Sequence, residues 1–183
     1  MKLSISNIAW EKKYDSQIYK LMNIYGFTGL EIAPTRIFAE NPYDKLEEAY
    51  RWEKELHEKY GFKITSMQSI WYGRTEKLFG SEEDRKILRE YTKRAIDFAE
   101  VIGCHNLVMG SPQNRCIPYD ADPGMAIKFF RELGEYALLR NTVIGMEPNP
   151  PIYNTNYIND TSAAINLIKE VDSKGFLLNL DIG

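Results

Sequence analysis

Six short apolar segments alternate with amphipathic stretches along this chain, and that alternation narrows its possible folds more than any other feature. The segments are KLSIS from Lys2, GLEIA from Gly29, KITSM from Lys63, NLVMG from Asn106, TVIGME from Thr142 and FLLNLD from Phe176. Runs this short and apolar, bounded by turn formers, predict strands. The last one, following Gly175, reads as a buried strand with Asp181 where it would meet solvent. The intervening stretches carry helix punctuation. Asn41-Pro42 and Asp122-Pro123 each set a capping side chain before a proline at the first helical position. Ser81 with Asp84 resembles a capping box and opens a long helix to about Ile102. Gly26, Gly61, Gly103 and Gly175 stand where helices should stop. Strict strand–helix alternation predicts a parallel α/β sheet covered by helices.

Two parallel architectures compete. An open doubly wound sheet usually binds a nucleotide through a glycine-rich first turn, and SNIAWEKKYD after the first segment contains no glycine. A closed (β/α)8 TIM barrel places its chemistry at the carboxyl ends of many strands. Here the segments lead to Asn7 and Trp10, to Glu31 and Arg36, to Gln68, Trp71 and Tyr72, to Ser111, Gln113, Asn114 and Arg115, to Glu147 and Asn149, and to Asp181. That distribution favours the (β/α)8 type. Such a barrel takes about 250 residues and eight strands. With six segments in 183 residues, the expectation is a single domain over 1–183, incomplete at its C-terminus by roughly 67 residues and two strand–helix units.

A composition of 44% apolar and 27% charged residues matches an ordinary globular protein. A formal net charge of −3 offers no electrostatic reason for nucleic acid or an anionic membrane as partner. MKLSISNIAW alternates instead of forming an apolar run, so it is not read as a signal peptide, and no stretch approaches the ~20 apolar residues of a membrane span. Cys104 and Cys116 form neither a metal spacing nor a disulfide framework, which suits a reducing cytoplasm. The NDT sequon at Asn159 is read as chance without a secretion signal.

Glu147 is the sharpest chemical candidate. In VIGMEPNPP a carboxylate follows a mostly apolar strand and precedes a proline-rich loop, so it can bind a divalent cation or abstract a proton, or simply form a salt bridge. Asp181 repeats the pattern one strand later. Adjacent parallel strands lie ~4.8 Å apart, so the two carboxylates can share one cation or repel each other. Such a pair begins a hard-metal site for Mn2+ or Mg2+, although two ligands are too few. His57 sits in the charged helix EKELHEKY and His105 precedes the fourth strand, so both are read as structural.

SNIAW, GLEIAPTRIF, SMQSIWYG, LVMGSPQNR, GMEPNPPIYNTNYI and LNLDIG, in that order, resemble the sugar-phosphate isomerase/epimerase family of xylose-isomerase-like TIM barrels. The resemblance covers essentially the whole chain. It implies that Glu147 and Asp181 are the first two ligands of a Mn2+ or Mg2+ ion otherwise held by a histidine and a second glutamate lying beyond Gly183. It also implies that Glu147 acts as an acid/base group in isomerising or epimerising a sugar or sugar phosphate through an enediolate.

The other strand-end residues fit sugar recognition. Trp10, Trp71 and Tyr72 can stack on a sugar or pack the barrel rim. Asn7, Gln68, Gln113, Asn114 and Asn149 can bond hydroxyls. Arg36 or Arg115 can bind a phosphate or carboxylate, or pair with Glu31 or a loop acid. Two other readings compete: an abasic-site endonuclease-like phosphodiesterase, disfavoured by the acidic balance, and a non-catalytic sugar-binding fragment that self-associates through exposed sheet edges.

Overall fold

The computed structural model describes residues 2–181 and contains one parallel sheet. Its strands are β1 (Ser4–Ser6), β2 (Gly29–Ile32), β3 (Lys63–Met67), β4 (Asn106–Met109), β5 (Val143–Met146) and β6 (Phe176–Leu178). Spatial order equals chain order, and every neighbouring pair is parallel. A doubly wound sheet reverses its strand order partway; this one never does. It is the wall of a (β/α)8-type barrel with six strands among the described residues.

Between the strands run α1 (Asp15–Ile24), the short α2 (Pro34–Ile37), α3 (Leu46–Tyr60), α4 (Glu82–Val101), α5 (Gly124–Leu138) and α6 (Thr161–Val171). Leu30 and Ile32 of β2, Leu107 and Met109 of β4, Ile144 and Met146 of β5 and Phe176 of β6 join the buried helix residues in one apolar cluster. Several of the intervening strand and strand-end positions are polar, and they bond one another instead. Ser4 meets Thr65 at 2.8 Å, Ser66 donates to Glu31 at 2.6 Å, and Asn106 donates to Asn179 at 3.3 Å. The period of two along β2, β4 and β5 therefore separates an apolar helix-facing side from a largely polar inner side. A register shift between Leu30 and Glu31 marks an irregularity in the β2–β3 pairing.

Several expected boundaries change. Apart from β3, which matches its segment, the strands are shorter than the apolar segments, and Asp181 lies beyond the end of β6. That strand is not wholly buried either: Phe176 is covered but Leu177 is 44% exposed, as befits the outer strand of the sheet. Asn41 caps nothing with its side chain. It takes a left-handed conformation (φ 44°) before a 3-10 turn at Pro42–Asp44, and α3 starts only at Leu46. Asp122 accepts from the Gly124 amide at 2.8 Å, with Pro123 preceding the first residue of α5. The Ser81–Asp84 capping box is present in full.

Gly26, Gly61 and Gly103 have the positive φ of helix-terminating glycines, but Gly175 does not. Asp172 (φ 49°) closes α6 in its place. Gly175 is required for a different reason, since a Cβ there would lie 2.0 Å from the carbonyl oxygen of Gly134 in α5. No helix among the described residues is long and apolar enough to cross a membrane. Ile182 and Gly183 of the LNLDIG motif lie outside the described residues.

Candidate functional site

A cleft of about 820 Å³ opens at the carboxyl ends of the strands, and Glu31, Gln68, Glu147, Asn149, Asn179 and Asp181 are among its lining residues. Glu147 directly follows β5. Its amide bonds the carbonyl of Met109 at 3.1 Å, and the Asn179 amide bonds the carbonyl of Met146 at 2.8 Å. These continuations of the parallel ladder align the ends of β4, β5 and β6, so Glu147 and Asn179 stand side by side on the polar inner side.

The carboxylate is held at both oxygens. Asn149 donates to Oε2 at 3.1 Å and Asn179 donates to Oε1 at 3.3 Å. Space for it comes from a missing side chain on the next strand, because a Cβ at Gly110 would meet Oε2 at 2.8 Å. Gly145 does the same one layer below, where a Cβ would lie 2.8 Å from Oδ1 of Asn106 and 3.0 Å from Cβ of Asn179. Burial raises the Glu147 pKa above its usual value. The Asn149 hydrogen bond opposes that rise, and the negative fields of Asp181 and Glu31 add to it. Glu31 is itself braced, accepting from Ser66 at 2.6 Å and from Gln68 at 2.9 Å, while Gln68 also donates to Ser6 at 2.6 Å.

Arg115 does not face this cleft with its charge. It ends the 3-10 turn at Pro112–Arg115 and is fully buried. The guanidinium donates to the carbonyls of Gly110 (2.7 Å), Tyr157, Ile158 (3.3 Å) and Glu147 (2.9 Å), and to Oδ1 of Asn149 (2.7 Å). Burial pulls its pKa down to about 10, so it stays charged at neutral pH. Neither sequence-based alternative, a substrate anion or a salt bridge, describes it. It is a brace joining the loops after β4 and β5.

Other expected contacts are redistributed too. Trp71 is core: it is 1% exposed, donates to Thr92 at 2.8 Å and packs against Phe129. Asn114 is buried, donating to the carbonyls of Arg74 and Glu76 at 3.0 and 2.9 Å. Asn7 is fully buried and accepts from the Ala33 amide at 2.9 Å, and its Nδ2 has no hydrogen-bond partner. Trp10 and Arg36 line a neighbouring cleft, and both bond Asp15, at 2.7 and 2.6 Å. The ring nitrogens Nδ1 of His57 and His105 bond the carbonyls of Phe62 and Asn141, in keeping with structural roles.

The cleft thus gathers Gln68, Glu147, Asn149 and Asp181 as expected, together with two residues that the sequence reading did not assign to a site. In the sequence Glu31 stands out as a strand-end residue and a possible arginine partner, and Asn179 is not singled out. Both follow the alternation that separates polar from apolar strand positions, and that period was the signal available for finding them.

For a hard divalent cation the donor chemistry is suitable, because Glu147 and Asp181 offer carboxylate oxygens. Among the described residues, no group of three or more His, Cys, Asp and Glu side chains is gathered closely enough to hold a metal ion.

The family model described as xylose isomerase-like TIM barrel matches residues 20–183. No curated protein matches the sequence. Among solved structures, 3-keto-D-glucoside 4-epimerase from E. coli aligns with TM-score 0.71 at 20% identity, covering 97% of this chain and 67% of that one. D-psicose 3-epimerase from Clostridium cellulolyticum H10 aligns with TM-score 0.71 at 17% identity, over 96% and 62%. A sugar phosphate isomerase/epimerase from Parabacteroides distasonis aligns with TM-score 0.65 at 14% identity, over 99% and 65%. The chain therefore spans about two thirds of the length of these structures, and the likeness at such identity concerns the fold.

Proposed function

The chain belongs to the xylose isomerase-like TIM barrel family, and on that premise we propose that it is built for isomerising or epimerising a sugar, with Glu147 as the group that moves the proton. The observation that carries this reading is the Glu147 carboxylate itself. It is partly buried at a strand end, held at both oxygens by Asn149 and Asn179, and made more basic by its setting. A carboxylate whose pKa rises toward the working pH is a better base for a proton beside a carbonyl than an exposed one. The two asparagine bonds fix its direction, which matters because proton transfer needs hydrogen-bond reach. The names of the neighbours, a keto-glucoside epimerase and a psicose epimerase, support the same class of chemistry.

The remaining groups have complementary roles in this reading. Gln68, Asn149 and Asn179 line the cleft with amides that can bond sugar hydroxyls. Glu31, braced by Ser66 and Gln68, is positioned to accept from a hydroxyl. A Mn2+ or Mg2+ ion held by Glu147 and Asp181 would supply charge stabilisation at the substrate's carbonyl oxygen. Arg115 acts only through the backbone it holds. A phosphodiester strand is disfavoured, because among the described residues three carboxylates line the cleft and no cationic side chain does.

The test follows deuterium exchange. The chain is incubated in D2O with Mn2+ and D-fructose or D-tagatose, and the carbons beside the carbonyl are followed by NMR. The proposal expects deuterium there with the native chain and none with Glu147→Gln. Equal exchange by both chains would remove Glu147 from the role.

A further inference from the structure

The Glu147 cleft has a neighbour. A cleft of about 810 Å³ opens beside it, and Ile8 and Ser69 line both. Trp10, Thr35, Glu40, Asn41, Tyr72 and Arg74 line the second cleft, supplied by the loops after β1, β2 and β3. The boundary residue Ser69 has φ 56°, a left-handed turn that ends the direction of β3.

The turn after Ser69 is firmly anchored. Ile70 and Trp71 are each 1% exposed; Tyr43 donates to the carbonyl of Ile70 at 3.0 Å, and Trp71 donates to Thr92 at 2.8 Å. The next residue, Tyr72, is 69% exposed. Its backbone is therefore fixed from beneath while its ring stands free on the cleft wall. A pre-positioned aromatic ring beside hydroxyl and amide groups is suited to the apolar face and polar rim of a sugar ring.

Charge narrows the ligand further. The cationic side chains lining the second cleft are Arg36 and Arg74, and each is already paired, with Asp15 and Glu76 respectively. Among the described residues the first cleft has no cationic lining residue and contains Glu31, Glu147 and Asp181. A phosphate would meet like charge in one cleft and engaged arginines in the other.

We propose that the two adjacent clefts together take an uncharged sugar of two linked rings, bridging Ile8 and Ser69, with the reacting ring against Glu147 and the second ring on Tyr72 and Trp10. This rests on the sugar-site reading of the Glu147 cleft. It names the substrate class as a glycoside or disaccharide and excludes a sugar phosphate.

The experiment titrates the full chain, in Mn2+ buffer, with D-glucose, cellobiose, maltose and D-glucose 6-phosphate by calorimetry. At least one disaccharide should bind about tenfold more tightly than glucose, a ratio equal to about 1.4 kcal/mol. That ratio should fall toward one in Tyr72→Ala and in Glu40→Ala, two changes at exposed side chains. Glucose binding as tightly as both disaccharides would overturn the two-ring proposal and leave the sugar-site reading standing. An unchanged ratio in both variants would also overturn it. Tighter binding of the phosphate than of glucose would overturn the uncharged assignment. Binding of none of the four would overturn the two-ring proposal, while deuterium exchange into D-fructose or D-tagatose decides the Glu147 reading separately.

Discussion

Arg115 donates to the backbone carbonyl of Glu147 at 2.9 Å and not to its carboxylate. The distinction matters for both residues. The carboxylate remains directed into the cleft, held by asparagines, while the strand end that carries it is tied down from behind. One buried cation thereby joins Gly110, Glu147, Asn149, Tyr157 and Ile158.

Removing that cation should be costly. Arg115→Met leaves several buried acceptors without a donor, and each unsatisfied group costs about 1–3 kcal/mol. A loss of about 3 kcal/mol or more in unfolding free energy is expected, read as a lower denaturant midpoint. Arg115→Lys should recover only part of it, since an ammonium lacks the planar fork that reaches these acceptors. A midpoint within experimental error of the native value would refute the brace.

The Glu147 setting also predicts a pH dependence in metal-free protein. Its folded pKa is raised above 4.5, chiefly by burial. The protonated carboxyl is therefore favoured by the fold, so its contribution to stability is complete below the unfolded value and is lost as pH rises through the folded value. Glu147→Gln escapes that loss. In EDTA, thermal melts of the two chains should differ little below pH 4.5, with the variant gaining relative stability toward about pH 7. A native chain that gains relative to the variant over this window would contradict the assignment.

Excess Mn2+ should raise the melting temperature if Glu147 and Asp181 hold a cation. Binding confined to the folded state contributes about 2.7 kcal/mol at a hundredfold excess over the dissociation constant. The rise should vanish in Glu147→Ala and in Asp181→Ala, and it should weaken at low pH as protons compete for the carboxylates. A rise of equal size in both variants would locate the ion elsewhere.

Gly175→Ala tests the close approach of α5 to the start of β6. The added methyl would meet the Gly134 carbonyl oxygen at 2.0 Å, which backbone must yield to relieve. Overpacking of this kind costs about 1–3 kcal/mol and sometimes more. The melting temperature should fall clearly, whereas Gly61→Asn, at a helix end with φ 74° and open space around it, should be tolerated far better. Equal tolerance at the two sites would remove the contact argument.

Much of this protein was legible from local pattern alone. Strand and helix order, the parallel barrel class, the Ser81–Asp84 box and the strand-end positions of Gln68, Glu147 and Asn149 all follow from periodicity and turn chemistry, which act between residues close in the chain. What tertiary structure decided were the partners. Nothing near Trp71 in sequence indicates that its indole meets Thr92, 21 residues away, while its neighbour Tyr72 is left exposed. Nothing near Arg115 announces acceptors 32 to 43 residues further on. A strand-end residue has the same local signal whether it points into the cleft, under it or into a loop brace. Only the packing of one loop on the next chooses among them, because a buried polar group must find its hydrogen bonds wherever the fold brings a partner within reach.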